Sequence, residues 1–357
     1  MFLAIEEMRQ NKLRYGLVLG LLVLIAYLVF FLTGLAYGLM QQNRSAVDKW
    51  QADSVLLSSE ANKLMSASHL DMKLADDVTA NEKTMLKQQA GAAWVKDEAT
   101  SDDKEKISVF AIEKGTFLEP NIVEGRSFEK VHEVVIDKAL GEKEGFEIGK
   151  TVHLSVFDEP VTIVGYTENA AFSVAPVVYM DFQDLDTTTK IPGQDDVTSI
   201  SAVIVRGDVT SYPKEDMEKL AVADFIEHLP GYQAQNVTFG FMIGFLVVIA
   251  AIVIAIFIYV LTTQKAPIFG LMKIQGLSNR FISASVVAQT FLLSSIGTLL
   301  GLSLTYLSSI ALPSAVPFEN NWFFYGTVSL SLVFFALIGA SFSVRSIFKV
   351  DPLQNLS

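Results

Sequence analysis

The chain has 357 residues, 51% hydrophobic and only 18% charged, a balance too apolar for an ordinary water-soluble protein. Its net charge of −12 offers no basic surface for nucleic acid, and the absence of cysteine means that any domain outside the cell is held by its core rather than by disulfides.

The apolar residues are segregated. Four runs contain no Asp, Glu, Lys or Arg: Tyr15 to Asn43, Val237 to Gln264, Phe281 to Phe318 and Asn320 to Val344. Each exceeds the roughly 20 residues an α-helix needs to cross about 30 Å of hydrocarbon. Transmembrane helices are therefore predicted over 17–40, 237–261, 282–311 and 322–344. Charge placement orients them. Arg9, Lys12, Arg14, Lys265, Lys273, Arg280, Arg345 and Lys349 flank the spans, against only Glu6, Glu7 and Asp351, whereas residues 41–236 carry 35 acids and 19 bases. The excess of bases places the N-terminal tail, the 262–281 loop and the C-terminal tail in the cytosol, and residues 41–236 outside. The fold class expected is an α-helical protein of the cell membrane with four spans in a 1 + 3 arrangement and a large α+β extracellular domain between the first and second.

In chain order, residues 1–16 read as a cytosolic amphipathic helix with Phe2, Ile5, Met8 and Leu13 on one side, resting on lipid. The first apolar run is too long for a cleaved signal peptide, so it stays as an anchor. Small residues four apart recur in the spans: Gly16 and Gly20, Gly34 and Gly38, Gly240 and Gly244, Gly297 and Gly301. They predict close helix packing, within the chain or across a dimer.

Outside, a helix is predicted over Ala80 to Val95. Strands follow at 107–112, 133–137, 151–156, 161–166, 176–180 and 202–206, with Asp158-Glu159-Pro160 as a turn between two of them. Lys214 to Leu229 reads as a helix returning to the membrane, ended by Pro230-Gly231. The stretch Gly145 to Thr151 resembles a phosphate-binding loop but has three residues between its glycines where four are needed, so it reads as a turn. His69, His132, His153 and His228 lack metal-ligand spacing, and no metal site or catalytic constellation is expected.

Thr262 to Phe281 is a short basic, amphipathic segment between two spans. Pro267 stands at a helix start and Gly276 at a stop, and Ile268, Leu271, Met272 and Gln275 recur at helical spacing, with Lys273 among them. Such a face fits a partner's groove or the lipid headgroups.

These segments together resemble permease subunits of the MacB/FtsX class of ABC transporters. The stretch AIEEMRQNKLRY at 4–15 is similar to the helix that precedes the first span in that class. TQKAPIFGLMKIQGLSNRFI at 263–282 resembles the "EIGILKAIGAS" segment, and RSIFKVDPLQNL at 345–356 resembles the "kvdPleaL" tail. Externally, residues 124–140, 146–156 and 161–166 resemble the core domain of the class, and residues 13–53 and 165–181 are most similar to its haem-exporting members. The resemblance implies a homodimer, a separate cytosolic HrtA-like ATPase that uses the ATP, a coupling helix at about 266–276 seated on that ATPase, and haem as transported ligand with no permanently bound cofactor.

Haem iron accepts Tyr, Met, His or carboxylate ligands, and its ring stacks on aromatic or aliphatic groups. Candidates near the outer membrane boundary are Tyr37, Met40 and Trp50 after the first span, Tyr232, Phe239 and Met242 at the second, and Tyr166 and Glu168 from the external domain. Ordinary interfacial aromatic belts and packing account for the same residue types. Two other functions share the architecture: export of antimicrobial peptides or lipid-like compounds, and mechanical control of an external cell-wall hydrolase without transport.

Overall fold

The computed structural model describes residues 12–96, 100–184, 188–189, 197–313 and 316–348. The expected N-terminal amphipathic helix lies mostly outside the described residues, as does the tail beyond 348. The chain forms two compact units, Met1–Gly38 with Val237–Ser357, and Leu39–Asn236.

The first unit is built on four helices long and apolar enough to cross a membrane. They are α1 (Lys12–Lys49), α4 (Tyr232–Gln264), α6 (Asn279–Ala311) and α7 (Trp322–Phe348). The helices α2 (Lys138–Gly141) and α3 (Val222–Glu227) fall in the second unit, and α5 (Ala266–Ile274) joins α4 to α6. The 38 residues of α1 span about 57 Å at 1.5 Å per residue, nearly twice the hydrocarbon thickness, so this helix continues well past the predicted span at 17–40.

One apolar cluster draws on all four long helices: Val18, Leu22, Ala26, Val29 and Phe30 of α1, Ala250, Ile254 and Ile258 of α4, Leu293 of α6, and Tyr325, Val328, Leu332, Ala336 and Ala340 of α7. The three- and four-residue spacing puts each set on one helix face. Several hydroxyls within the spans bond back along their own helix, as Thr33 to the Val29 carbonyl (2.7 Å) and Thr305 to that of Gly301 (3.0 Å), which satisfies these donors in hydrocarbon.

Glycine packing is selective. A Cβ on Gly301 would stand 2.7 Å from Ala26 Cβ, one on Gly297 2.8 Å from Leu22 Cβ, and one on Gly38 2.4 Å from the Pro317 carbonyl oxygen. A Cβ on Gly34 would strike Phe318 and Tyr325, whereas Gly16, Gly20, Gly240 and Gly244 have nothing within 4 Å. Two of the four predicted pairs therefore pack within the chain. A third contact, Gly339 against Ala255, escapes a search for paired glycines because its partner is alanine.

The strands of the external unit are β1 (Ser54–Ser58), β2 (Leu70–Asp71), β3 (Thr79–Trp94), β4 (Glu105–Ile112), β5 (Glu124–Gly125), β6 (Glu133–Asp137) and β7 (Thr151–Leu154). They continue as β8 (Phe157–Thr167), β9 (Ala171–Phe172), β10 (Ala175–Asp181), β11 (Thr188–Thr189), β12 (Val197–Ile200), β13 (Ala202–Ser211) and β14 (Met217–Ala221). The main sheet runs β14-β1-β13-β3-β4-β10-β6-β8-β5, with β7 bridging β3 and β8 and β9 beside β10. It is mixed, since β4 and β10 are parallel, as are β6 and β8. Both faces are covered. Val109, Ala111, Val134, Ile136, Val178, Met180, Val203 and Val205 enter one core, while Phe110, Ile112, Val135, Val177, Tyr179, Ala202 and Ile204 enter the other. Strands apolar on both sides suit such a sandwiched sheet.

Three expectations are corrected. Residues 80–95 are not a helix but most of β3, the longest strand, paired with β4, β7 and β13. Its Lys, Gln, Met and Ala favour helix intrinsically, but its neighbours' unpaired backbone groups decide otherwise. Asp158 to Pro160 lie inside β8, and the turn is Ser155-Val156, because Leu154 pairs with Phe157. Lys214 to Leu229 divides into β14 and the short α3, since Met217 to Ala221 complete the sheet edge along β1. The glycine turn before β7 is as expected, with Gly145 at φ +90° and Gly149 at φ +89°.

Candidate coupling and substrate surfaces

Helix α5 starts where Pro267 pre-sets the first turn. It stops at Gly276, whose φ of +87° is costly for a residue with a side chain. The Gly276 amide donates to the Lys273 carbonyl (3.0 Å) and the Leu277 amide to that of Met272 (3.0 Å), which satisfies the end of the helix.

The helix presents two apolar faces. Phe269 is buried against Ile282, Val286 and Val344, with Met272 packed beside it. On the other side Ile268, Leu271 and Ile274 are 49%, 56% and 52% exposed, flanked by exposed Pro267 and Gln275. The expected face is thereby corrected. Met272 belongs to the inner side and Ile274 replaces it outside, because the helix rests on α6 and α7 rather than standing clear. Lys273 is half-buried and Gly276 exposed.

Of the substrate candidates, Met40, Trp50, Tyr166, Glu168 and Tyr232 belong to the external unit and Tyr37, Phe239 and Met242 to the membrane unit. In the external unit, Trp50 is buried in a core with Phe110 and Phe225, its ring stacked 6.2 Å from that of Phe225. Tyr232 lies in the same core and accepts a hydrogen bond from Arg44 Nη1 (3.2 Å). Tyr166 is in the core on the opposite face of the sheet, where its hydroxyl donates to the Phe146 carbonyl (2.9 Å) and burial pushes the phenol up. These three aromatic side chains are structural and offer no ring face to a planar ligand. Glu168 is exposed, and its backbone carbonyl accepts from Lys49, whose own ionisation is lowered by burial. Met40 is half-buried against the core that holds Trp50.

In the membrane unit, Tyr37 is half-buried with its ring 5.7 Å from Phe324, and Phe239 and Met242 are half-buried on α4. The most exposed aromatic pair on α4 is Phe241 and Phe245, 65% and 63% exposed and stacked at 6.4 Å. Their i, i+4 spacing is legible in the sequence, although only the packing of α4 shows that this face is bare.

At the external end of α1, Arg44 donates to Asp48 (2.6 Å) and Asn43 Nδ2 to Gln235 Oε1 (2.6 Å). The Asp48 carboxylate holds the Arg44 guanidinium above its ordinary basicity. These bonds fix the helical extension of α1 to the first turn of α4 inside the external unit.

Residues 240–352 match the model of the FtsX-like permease C-terminal family. Over 99% of its length the chain is 24% identical to the "Putative hemin transport system permease protein HrtB" of Staphylococcus haemolyticus, of which 98% is covered. It is likewise 24% identical to the protein of that name from Staphylococcus epidermidis, again over 99% of this chain and 98% of that one. Among solved structures, the periplasmic region of MacB from Actinobacillus actinomycetemcomitans matches 48% of this chain and 89% of that one, with 13% identity and a TM-score of 0.33. The matched segment holds α5, α6 and α7 entire and α4 from Gly240 onward, so these helices are similar to the C-terminal part of FtsX-like permeases.

Proposed function

We propose that the chain is the permease subunit of an ABC-type efflux system that removes haem from the cell membrane, and that it works as a homodimer with a separate cytosolic ATPase. The observation that carries the coupling reading is α5, a short helix held on the membrane unit by Phe269 while Ile268, Leu271 and Ile274 stay uncovered. An apolar helix face of this size suits the groove of a partner. ATP binding then closes two ATPase copies beneath two such helices, and α1 and α4 carry the movement as unbroken helices. The charge asymmetry supports termini in the cytosol and residues 41–236 outside.

Haem as cargo is supported by the full-length likeness to proteins named for hemin transport. Its flat, apolar faces favour the bilayer, and its propionates favour the outer boundary. With Trp50, Tyr166 and Tyr232 in cores, the residues proposed to meet haem are Tyr37, Phe239 and Met242 of the membrane unit. The test is haemin titration of the purified chain beside a Tyr37→Ala/Met242→Ala variant, followed by absorption. A saturable, shifted Soret band that the variant loses is expected; equal, non-saturable uptake by both would remove haem and leave peptide or lipid export.

A further inference from the structure

Lys265 precedes α5 and occupies its N-cap position, yet its side chain is nine-tenths buried. Its ammonium group donates to the phenolic oxygen of Tyr15 on α1 and to Gln289 Oε1 on α6, the latter at 2.9 Å. Gln289 Nε2 donates to the same Tyr15 oxygen at 2.5 Å, so all three side chains are bonded to one another. The ammonium also stands 5.0 Å from the centroid of the Tyr15 ring. Tyr15 and Gln289 are more than nine-tenths buried as well.

We infer that this triangle is the joint by which displacement of α5 is passed to α1 and α6, with Lys265 as a positioning residue. The inference rests on the reading of α5 as the seat of an ATPase. Among the described residues, α5 is also attached by the packing of Phe269 on Ile282, Val286 and Val344, which is non-directional and tolerates sliding. Hydrogen bonds to an ammonium are directional, and a buried charge that leaves its acceptors meets the full desolvation penalty. A shift at the start of α5 therefore draws Tyr15 and Gln289 with it. An apolar residue at 265 would fill the same space at lower desolvation cost but would leave the three elements free to slip. Apolar contact alone would hold α5 in place; the triangle makes α1 and α6 follow it.

The experiment uses the full permease with its ATPase in lipid nanodiscs. Because the chain has no cysteine, a single fluorophore can be placed at the exposed Glu144→Cys in the external unit. Co-purification of the ATPase, basal ATP hydrolysis and the ATP-driven fluorescence change are measured together. In Lys265→Met, Gln289→Leu and Tyr15→Phe, assembly and basal hydrolysis are expected to persist while the fluorescence response per ATP falls about tenfold, the size of a typical coupling between sites. Gln289→Glu keeps an acceptor for the ammonium and retains the response, which a purely space-filling role does not predict. Unchanged responses in the assembled variants, or a loss in Gln289→Glu equal to that in Gln289→Leu, overturn the inference. If Lys265→Met does not fold, Tyr15→Phe decides, since it removes one oxygen and preserves shape. If the unaltered chain binds no ATPase, the functional reading itself fails, and the joint with it.

Discussion

Replacing Gly301 by alanine tests the packing of α6 on α1 at one atom. The added Cβ would lie 2.7 Å from Ala26 Cβ, 2.9 Å from the Tyr27 amide nitrogen and 3.1 Å from the Val23 carbonyl oxygen. Carbon atoms rest about 3.5–4.0 Å apart, so the helices must separate by roughly 1 Å, and two of the three obstacles are backbone that cannot rotate away. Overpacking of this kind costs about 1–3 kcal/mol, offset by about 1 kcal/mol from the better helix propensity of alanine. The net expectation for Gly301→Ala is a loss of about 0–2 kcal/mol. Gly244→Ala, with nothing within 4 Å, gains the propensity alone and is expected to be neutral or slightly stabilising. Unfolding of both variants in mixed micelles with increasing denaturing detergent, at one protein concentration, reads the difference. Equal midpoints for the two variants would refute the assignment of the Gly297 and Gly301 pair to the intrachain contact. A loss in Gly244→Ala that grows on dilution would place that glycine in a dimer interface.

Leu271→Asp and Ile274→Asp on the bare face of α5 are expected to lower ATPase co-purification at least tenfold without altering the chain's unfolding midpoint, whereas Phe269→Ala on the inner face should lower the midpoint, with a loss of stability of about 3–5 kcal/mol. Phe110→Ala, in contact with Trp50, Phe172 and Tyr179, should destabilise the external unit by about 3–5 kcal/mol, measured by chemical denaturation. Glu133 is held at about 2 by its hydrogen bond to Arg126, aided by the amides of Glu129 and Lys130. A depressed carboxyl stabilises the fold above its unfolded value near 4.5 and loses that contribution as pH falls toward 2. Glu133→Gln should therefore cost about 1 kcal/mol at neutral pH, after allowance for solvent screening at the exposed guanidinium, and the difference should vanish near pH 2; a constant gap across that range would refute the assignment.

Much of this protein is legible in its residues because lipid imposes a rule that sequence can state: a span needs about 20 uncharged, apolar residues. Hence the four spans, the loop placed between α4 and α6, and Pro267 and Gly276 as the limits of its helix were all visible beforehand. The strands β4, β6, β8, β10 and β13 were visible too, from runs of Val, Ile and Phe. What tertiary structure decided was which partner each face met. The 80–95 segment has the composition of a helix and became the central strand β3, since strand choice depends on hydrogen-bonding neighbours that lie far off in sequence. Tyr166 and Trp50 look alike as aromatic residues near an interface, yet they sit in cores on opposite faces of the sheet, and neither is free to hold a ligand. Met272 and Ile274 differ by two positions on a nine-residue helix, and only the seat of Phe269 on α6 and α7 sorts one inward and the other outward. Composition and periodicity constrain each segment by itself, whereas burial and exposure are properties of pairs of segments.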